Sequence, residues 1–298
     1  MLKSISPFIY GTTRLGDDKI PFEERVHVAY AAMNAGVWFH TSRQYNNALE
    51  LLSVAFDKDR TKVPKLIAKI GGDSIEALRA DIKRNLEPVG LESLNVGQLC
   101  IGGDLAEDFA AGGKSLKELE KIRESGLVES YVLEVFPWTS RIAMEALKGG
   151  HTEDILDAFI VYLNPLQRFA SNELWDLLIG QTQPIIALRT VAGGPVHRLR
   201  DVPGAAWKPY LQQRAVEVAP IFERSGINNW TEFCMRFAHS IPNVLATVGA
   251  TARISNLNEF LAAEENTQPL PQGIVKEIFA LQRRWSDELD MHAEPWTM

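Results

Sequence analysis

A lysine set in the middle of an apolar run is the residue of this sequence most suited to chemistry. Lys69 lies in Leu66-Ile67-Ala68-Lys69-Ile70. A buried ammonium loses its hydration, so it needs a partner or a lowered pKa. Tyr45 ends the segment His40-Thr41-Ser42-Arg43-Gln44-Tyr45. A phenol beside a cationic lysine gives up its proton more readily and suits general acid work. His40 stands in the apolar stretch before it, a place where a histidine is as often a hydrogen-bonded core residue as a catalytic one. Glu134 sits in Val132-Leu133-Glu134-Val135-Phe136, and a buried carboxylate there calls for Lys69, Arg43 or Arg189 as partner. Asp104, after Gly102-Gly103, could cap a turn. Arg253 precedes a helical stretch, where it could meet a phosphate. The histidines have no metal-ligand spacing, so no metal site is expected.

Alternation of short apolar runs with amphipathic ones supplies the frame for these residues. The pattern predicts strands at Phe8–Gly11, Trp38–Ser42, Leu66–Ile70, Val96–Ile101, Ser130–Phe136, Ala158–Leu163, Ile185–Arg189 and Asn243–Val248. Helices are expected at Pro21–Ala35, at Asn46–Asp57, from a cap at Asp73/Ser74 to Leu86, and at Leu116–Ser125. Further helices are expected at Ser140–Leu147, Asn172–Ile179, Ser255–Glu264 and Gln272–Leu289. Strands each followed by a helix imply an α/β fold, a (β/α)8 TIM barrel formed as a single domain over residues 1–298. Two stretches break the period. The segment Val191–Gly226 after the seventh strand carries a helical piece near Trp207–Phe222 and could cover the barrel mouth, with Trp207, Tyr210 and Trp230 as candidate wall residues. The tail after Pro271 adds a helix expected outside the barrel. Barrel enzymes work at the C-terminal ends of their strands. That rule selects Thr12, His40, Arg43, Tyr45, Lys69, Asp104, Glu134, Asn164, Arg189 and Thr251.

Composition narrows the class. With 298 residues, 46% hydrophobic and 23% charged, the chain can bury a large core. A net charge of −7 disfavours a nucleic-acid partner. Two cysteines, Cys100 and Cys234, exclude a disulfide framework. Without a long apolar run at the N-terminus or elsewhere, neither a secretory signal nor a membrane span is expected, and the chain is placed in the cytoplasm.

In order along the chain, several motifs resemble those of the aldo-keto reductase superfamily. Gly11-Thr12-Thr13-Arg14-Leu15-Gly16-Asp17 is similar to its opening strand. Residues 31–47, which include Phe39-His40-Thr41 and Gln44-Tyr45-Asn46, resemble its aspartate-to-tyrosine stretch. Leu66-Ile67-Ala68-Lys69 resembles its lysine strand, and Tyr162-Leu163-Asn164-Pro165-Leu166 its Y-N-P-L motif. Residues 244–251, followed by Leu257 and Glu259, resemble its last strand and phosphate-binding turn. The resemblance implies a (β/α)8 barrel that takes NADPH in an extended form and reduces a small carbonyl substrate. Tyr45 then matches the proton donor and Lys69 its activator. Gly11, Thr12, Asn164, Arg189, Gly249, Thr251 and Arg253 become candidate cofactor contacts.

The chain also departs from the family. His40 holds the position of the family's aspartate, and Gly102 that of its histidine. Phe136-Pro137 stands where a Ser-Asn pair holds the nicotinamide amide, and Leu163 near the stacking aromatic. Loss of an anion beside Lys69 would leave its charge unsupported unless Glu134 replaces it. Two alternatives follow. One is a cofactor-independent lyase, dehydratase or isomerase using His40, Tyr45, Lys69 and Glu134, with a Schiff base on Lys69 as a variant. The other is a non-catalytic binding barrel.

Overall fold

A computed structural model describes residues 2–136, 139–192, 208–266 and 268–291. Eight parallel strands close into a barrel. They are β1 (Phe8–Gly11), β2 (Trp38–Thr41), β3 (Leu66–Gly72), β4 (Leu94–Ile101), β5 (Val128–Val135), β6 (Ala158–Asn164), β7 (Ile185–Leu188) and β8 (Val244–Ala250). The ring is sealed where β8 lies beside β1, with Phe8 opposite Thr247 and Gly11 opposite Ala250. All eight expected strands are present; the ends of most shift by a residue or two.

Side chains alternate between the barrel interior and the surrounding helices. Ile9, Trp38, Ile67, Val96, Val132, Ile160, Ile186 and Val248 form an interior cluster. Their neighbours Phe8, Phe39 and Leu66 pack outward in another. Burial on both faces is why these strands read as continuous apolar runs. The alternation sets the site. If Ile67 points inward then so does Lys69, and if Val132 does then so does Glu134.

The helices are α1 (Phe22–Asn34), α2 (Ala48–Asp57), α3 (Ile75–Leu86), α4 (Gly103–Ala110), α5 (Lys114–Glu124), α6 (Ser140–Gly149), α7 (Asn172–Ile179), α8 (Lys208–Arg224), α9 (Trp230–His239), α10 (Ile254–Glu265) and α11 (Gln272–Met291). The Ser74 side chain caps α3 by accepting from the Ala77 N–H. Two helices were not expected. In α4, the flanking Gly102-Gly103 and Gly112-Gly113 obscure an apolar face of Leu105, Ala106, Phe109 and Ala110. In α9, the Asn229 side chain accepts from the Glu232 N–H, and Phe233, Cys234, Phe237 and Ala238 are buried. A short return, Gln167–Arg168, pairs antiparallel with the end of β6. The tail helix α11 packs against α7 and α8 on the outside of the barrel. No helix among the described residues is long and apolar enough to cross a membrane.

Gly249 is held by packing: a Cβ there would lie 2.4 Å from the Phe260 ring of α10. A Cβ at Gly102 would meet nothing within 4 Å. Urea unfolding therefore separates the two. Gly249→Ala loses about 1–3 kcal/mol through overpacking, and Gly102→Ala changes stability by less than ~0.5 kcal/mol.

Candidate active site

Neighbouring strands β2 to β6 each send a polar side chain inward near the C-terminal mouth. Lys69 (β3) and Gln98 (β4) are register partners. Glu134 (β5) lies beyond β4, and its Oε2 forms an ion pair with Lys69 Nζ at 3.0 Å. The same oxygen accepts from Gln98 Nε2 at 2.5 Å and from Cys100 Sγ at 3.0 Å. With the Gln98 amide nitrogen turned to the carboxylate, its oxygen faces His40 Nε2 at 2.6 Å. The amide oxygen only accepts, so His40 must carry its proton on Nε2. The result is a directed chain: His40 donates to Gln98, Gln98 to Glu134, and Lys69 meets Glu134 from the other side.

The Glu134 side chain is almost fully buried, 3% exposed, and the Lys69 side chain is 17% exposed. Burial works against the Lys69 charge. The Tyr45 oxygen and the Glu134 carboxylate outweigh it, and the ammonium is held above its ordinary range. Its Nζ also lies 4.9 Å from the centre of the Phe136 ring, a cation–π contact. Burial and the Lys69 charge push the His40 pKa down to about 4, against the pull of Gln98. His40 is therefore neutral near pH 7. Burial and Glu134 push the Cys100 thiol up, so it serves as a weak donor and not as a thiolate.

Tyr45 arrives from the turn after β2, fixed by its N–H on the Ser42 carbonyl at 3.1 Å and by its own carbonyl accepting from the Ala48 N–H at 2.9 Å. Its ring centre is 6.4 Å from that of His40. Burial raises the phenol pKa, whereas Lys69 and the Thr13 hydroxyl draw it down. The net direction is up, which keeps the phenol a proton carrier. Tyr162 is a second phenol in the same field, raised by burial and lowered by Lys69 and Arg189. It meets Phe136 edge-on at 4.4 Å and stacks on Phe169 at 4.7 Å.

The four residues expected to do chemistry thus gather in one place, and of the three expected partners Glu134 meets Lys69. Glu134 takes Lys69 as partner, and His40 reaches Lys69 only through Gln98 and Glu134. Arg43 is elsewhere: it pairs with Asp81, and its N–H meets Asn85 Oδ1 at 2.9 Å. Asp104 is exposed in the first turn of α4 and makes no side-chain cap bond there. Gln98, Cys100 and Tyr162 had not been singled out. Their signal was spacing by two: Val96-x-Gln98-x-Cys100 repeats the inward pattern of Val132-x-Glu134-x-Phe136.

The candidate cofactor residues divide. Gly11 and Gly249 are packing glycines, with a Cβ at Gly11 lying 3.1 Å from the Ala250 Cβ. Thr12 is buried, and its hydroxyl donates to the Thr41 hydroxyl at 2.8 Å. Asn164 is committed to its own loop: Oδ1 accepts from the Leu166 N–H at 2.9 Å, and Nδ2 donates to the Arg189 carbonyl at 3.0 Å. Arg189 has φ +51° and places its guanidinium 5.8 Å from the centre of the Tyr162 ring. Thr251 Oγ1 accepts from the Arg253 N–H at 3.1 Å, which shapes the turn into α10 and leaves the Arg253 side chain exposed at the helix N-terminus. Pro137, Trp207 and the Tyr210 side chain lie outside the described residues. Trp230 donates from Nε1 to the Ala192 carbonyl at 2.9 Å and packs on Phe222 and Phe233 as a core residue. Among the described residues no three His, Cys, Asp or Glu side chains cluster as metal ligands.

No family model matches the chain, and no curated protein does. Solved structures do. An aldo-keto reductase from Bacillus halodurans in its holo form superposes with a TM-score of 0.71 at 18% identity, over 93% of this chain and 92% of that one. An aldo-keto reductase from Klebsiella pneumoniae in complex with NADP and acetate gives 0.67 at 18% identity, over 94% and 92%. A Klebsiella pneumoniae structure with NADPH gives 0.66 at 18% identity over the same shares. The chain has the aldo-keto reductase fold, a (β/α)8 barrel.

Because His40 is neutral when folded and free to take a proton when unfolded, acid costs stability. The loss begins as pH falls through the ordinary histidine pKa of 6.5 and is complete near pH 4. By linkage it amounts to about 2–3 kcal/mol at pH ~4.5. Urea midpoints at pH ~7.5 and ~4.5 check this: His40→Gln loses less on acidification than the unaltered chain by that margin. Equal losses would mean that His40 is not held neutral.

Proposed function

We propose that the chain is an NADPH-dependent carbonyl reductase in which Tyr45 donates the proton and Lys69 activates it. The observation that carries this is the Tyr45 phenol in the field of an ammonium that Glu134 keeps charged. The bound NADP and NADPH of the Klebsiella pneumoniae structures support the same cofactor here. This chain's residues suit its phosphate end best. The free first turn of α10, with Arg253 exposed beside it, offers N–H groups and a positive charge to a phosphate. The nicotinamide end is met differently from the family pattern. Asn164 has its polar atoms engaged, and Phe136 presents a ring where polar anchors are usual.

The cofactor, when bound, supplies the hydride. What the protein's own groups supply is the proton and its timing. A carbonyl oxygen near Tyr45 gains negative charge as it is reduced, and the phenol protonates it. Lys69 lowers the energy of the resulting phenolate, because its ammonium is preorganised by Glu134 and needs no reorientation. The Glu134 carboxylate, held by Lys69, Gln98 and Cys100, orients the lysine and does not touch the substrate. Burial lowers the Arg14 pKa, Asp17 opposes this and Arg189 adds to it.

A second reading, proton transfer without a cofactor, is favoured by the engaged Asn164 and by Phe136. It would use Tyr45 or Tyr162 as acid and place the same substrate class at the mouth. Nicotinamide fluorescence and turnover with a panel of small aldehydes and ketones separate the two. The reductase predicts saturable NADPH binding and consumption of NADPH with substrate. Tyr45→Phe lowers turnover by about 10²–10⁴-fold and leaves NADPH affinity unchanged. Absence of NADPH binding, or turnover that needs no NADPH, contradicts it.

A further inference from the structure

On the outer flank of the barrel, one face of α11 closes a small hollow against the return after β6 and against α8. Gln282, Trp285, Ser286 and Leu289 line it at helical spacing, opposite Arg168 and Arg214. The hollow has about 240 Å³ of empty space, part of it open to solvent. As a whole it has room for little more than one water-sized atom.

The donors facing it are unusual. Arg168 is 7% exposed. Its Nε donates to the Ala170 carbonyl at 3.2 Å and its Nη2 to Asn172 Oδ1 at 2.5 Å. Its Nη1 is buried and has no hydrogen-bond partner. Trp285 Nε1 and Ser286 Oγ, on residues 4% and 6% exposed, are unpartnered as well. Burial, with Arg283 adding to it, lowers the Arg168 pKa to about 10, while Asp176 and Asp287 act in the other direction. No carboxylate of the described residues forms an ion pair with Arg168. The Gln282 amide is oriented by Nε2 donating to the Asn164 carbonyl at 2.9 Å, which leaves its oxygen as an unpaired acceptor.

Native proteins rarely leave buried donors unmet, and a buried cation without a partner is the costliest case. Asp176 and Asp287 act on the Arg168 charge from a distance, and the Trp175 ring centre lies 5.4 Å from its guanidinium carbon; a water molecule would satisfy hydrogen bonds here but would bring no counter-charge into contact with Nη1. We propose that the hollow is a binding site for a compact inorganic anion, held by Arg168 Nη1, Trp285 Nε1 and Ser286 Oγ. The small space of the hollow favours a halide over a metabolite. The occupant ties α11 to Arg168 and so to the turn that ends β6. The site is separate from the proposed carbonyl-reducing centre and does not depend on it.

Crystals of the full chain soaked in bromide and measured at the bromine absorption edge test this directly. An anomalous peak between Arg168 Nη1, Trp285 Nε1 and Ser286 Oγ is the expected result. In solution, chloride is titrated against gluconate at constant ionic strength while thermal unfolding is followed. The expected midpoint rises with chloride as ligand linkage requires. Ser286→Ala, which removes one neutral donor, raises the half-saturating chloride concentration about tenfold, and Arg168→Met abolishes the chloride dependence. Inorganic phosphate at the same ionic strength is expected to shift the midpoint less than chloride, and a larger shift with phosphate overturns the halide assignment. A hollow holding only water, or filled by a carboxylate of the chain itself, overturns the proposal. So does an unfolding midpoint indifferent to chloride.

Discussion

The contact between Lys69 and Glu134 is the constraint on which the rest of the site depends. An ammonium inside a barrel is costly, and without a counter-charge it would shed its proton. Glu134 prevents this from two strands away, across β4. That span explains Gln98, which lies between them and donates to the same carboxylate oxygen. It also explains His40. With Gln98 turned toward Glu134, only its amide oxygen remains for the histidine. A cationic His40 near Lys69 would oppose the whole arrangement, and burial keeps it neutral.

The resemblance to aldo-keto reductases would put an aspartate at His40, directly beside the lysine. In this chain the counter-charge of Lys69 comes from β5. The consequence is a lysine held from a different side, between a carboxylate and the Phe136 ring. The fold is shared with enzymes that bind NADP and NADPH, but fold alone does not carry activity across. What bears on activity is local. Tyr45 and Lys69 still share one field at the barrel mouth. Asn164 has its polar side-chain atoms engaged within its own loop, and Phe136 presents its ring to Lys69.

Much of the barrel could be read from the chain because its strands are buried on both faces. Leu66–Ile70 and Ala158–Leu163 are unbroken apolar runs apart from the residues that matter, Lys69 and Tyr162. The short helix α4 escaped because glycines flank it on both sides, although its apolar face is regular. The site was partly legible. Charged residues inside apolar runs pointed to Lys69 and Glu134, and their pairing followed from charge alone. Gln98 and Cys100 were silent because neutral polar residues in a strand raise no alarm until the register sets them beside a carboxylate. The engagement of Asn164 could not be read either, since it depends on Leu166 and Arg189 folding back onto it.

Glu134 keeps the Lys69 ammonium charged beside the Tyr45 phenol. Titration of the Lys69 ammonium by nitrogen-15 NMR, in the unaltered chain and in Glu134→Gln, tests it most directly. Lys69 is expected to stay protonated beyond the ordinary lysine pKa of about 10.4, and to titrate below that value in the variant. A lysine that titrates at or below its ordinary value in the unaltered chain, or that is indifferent to Glu134→Gln, would contradict it.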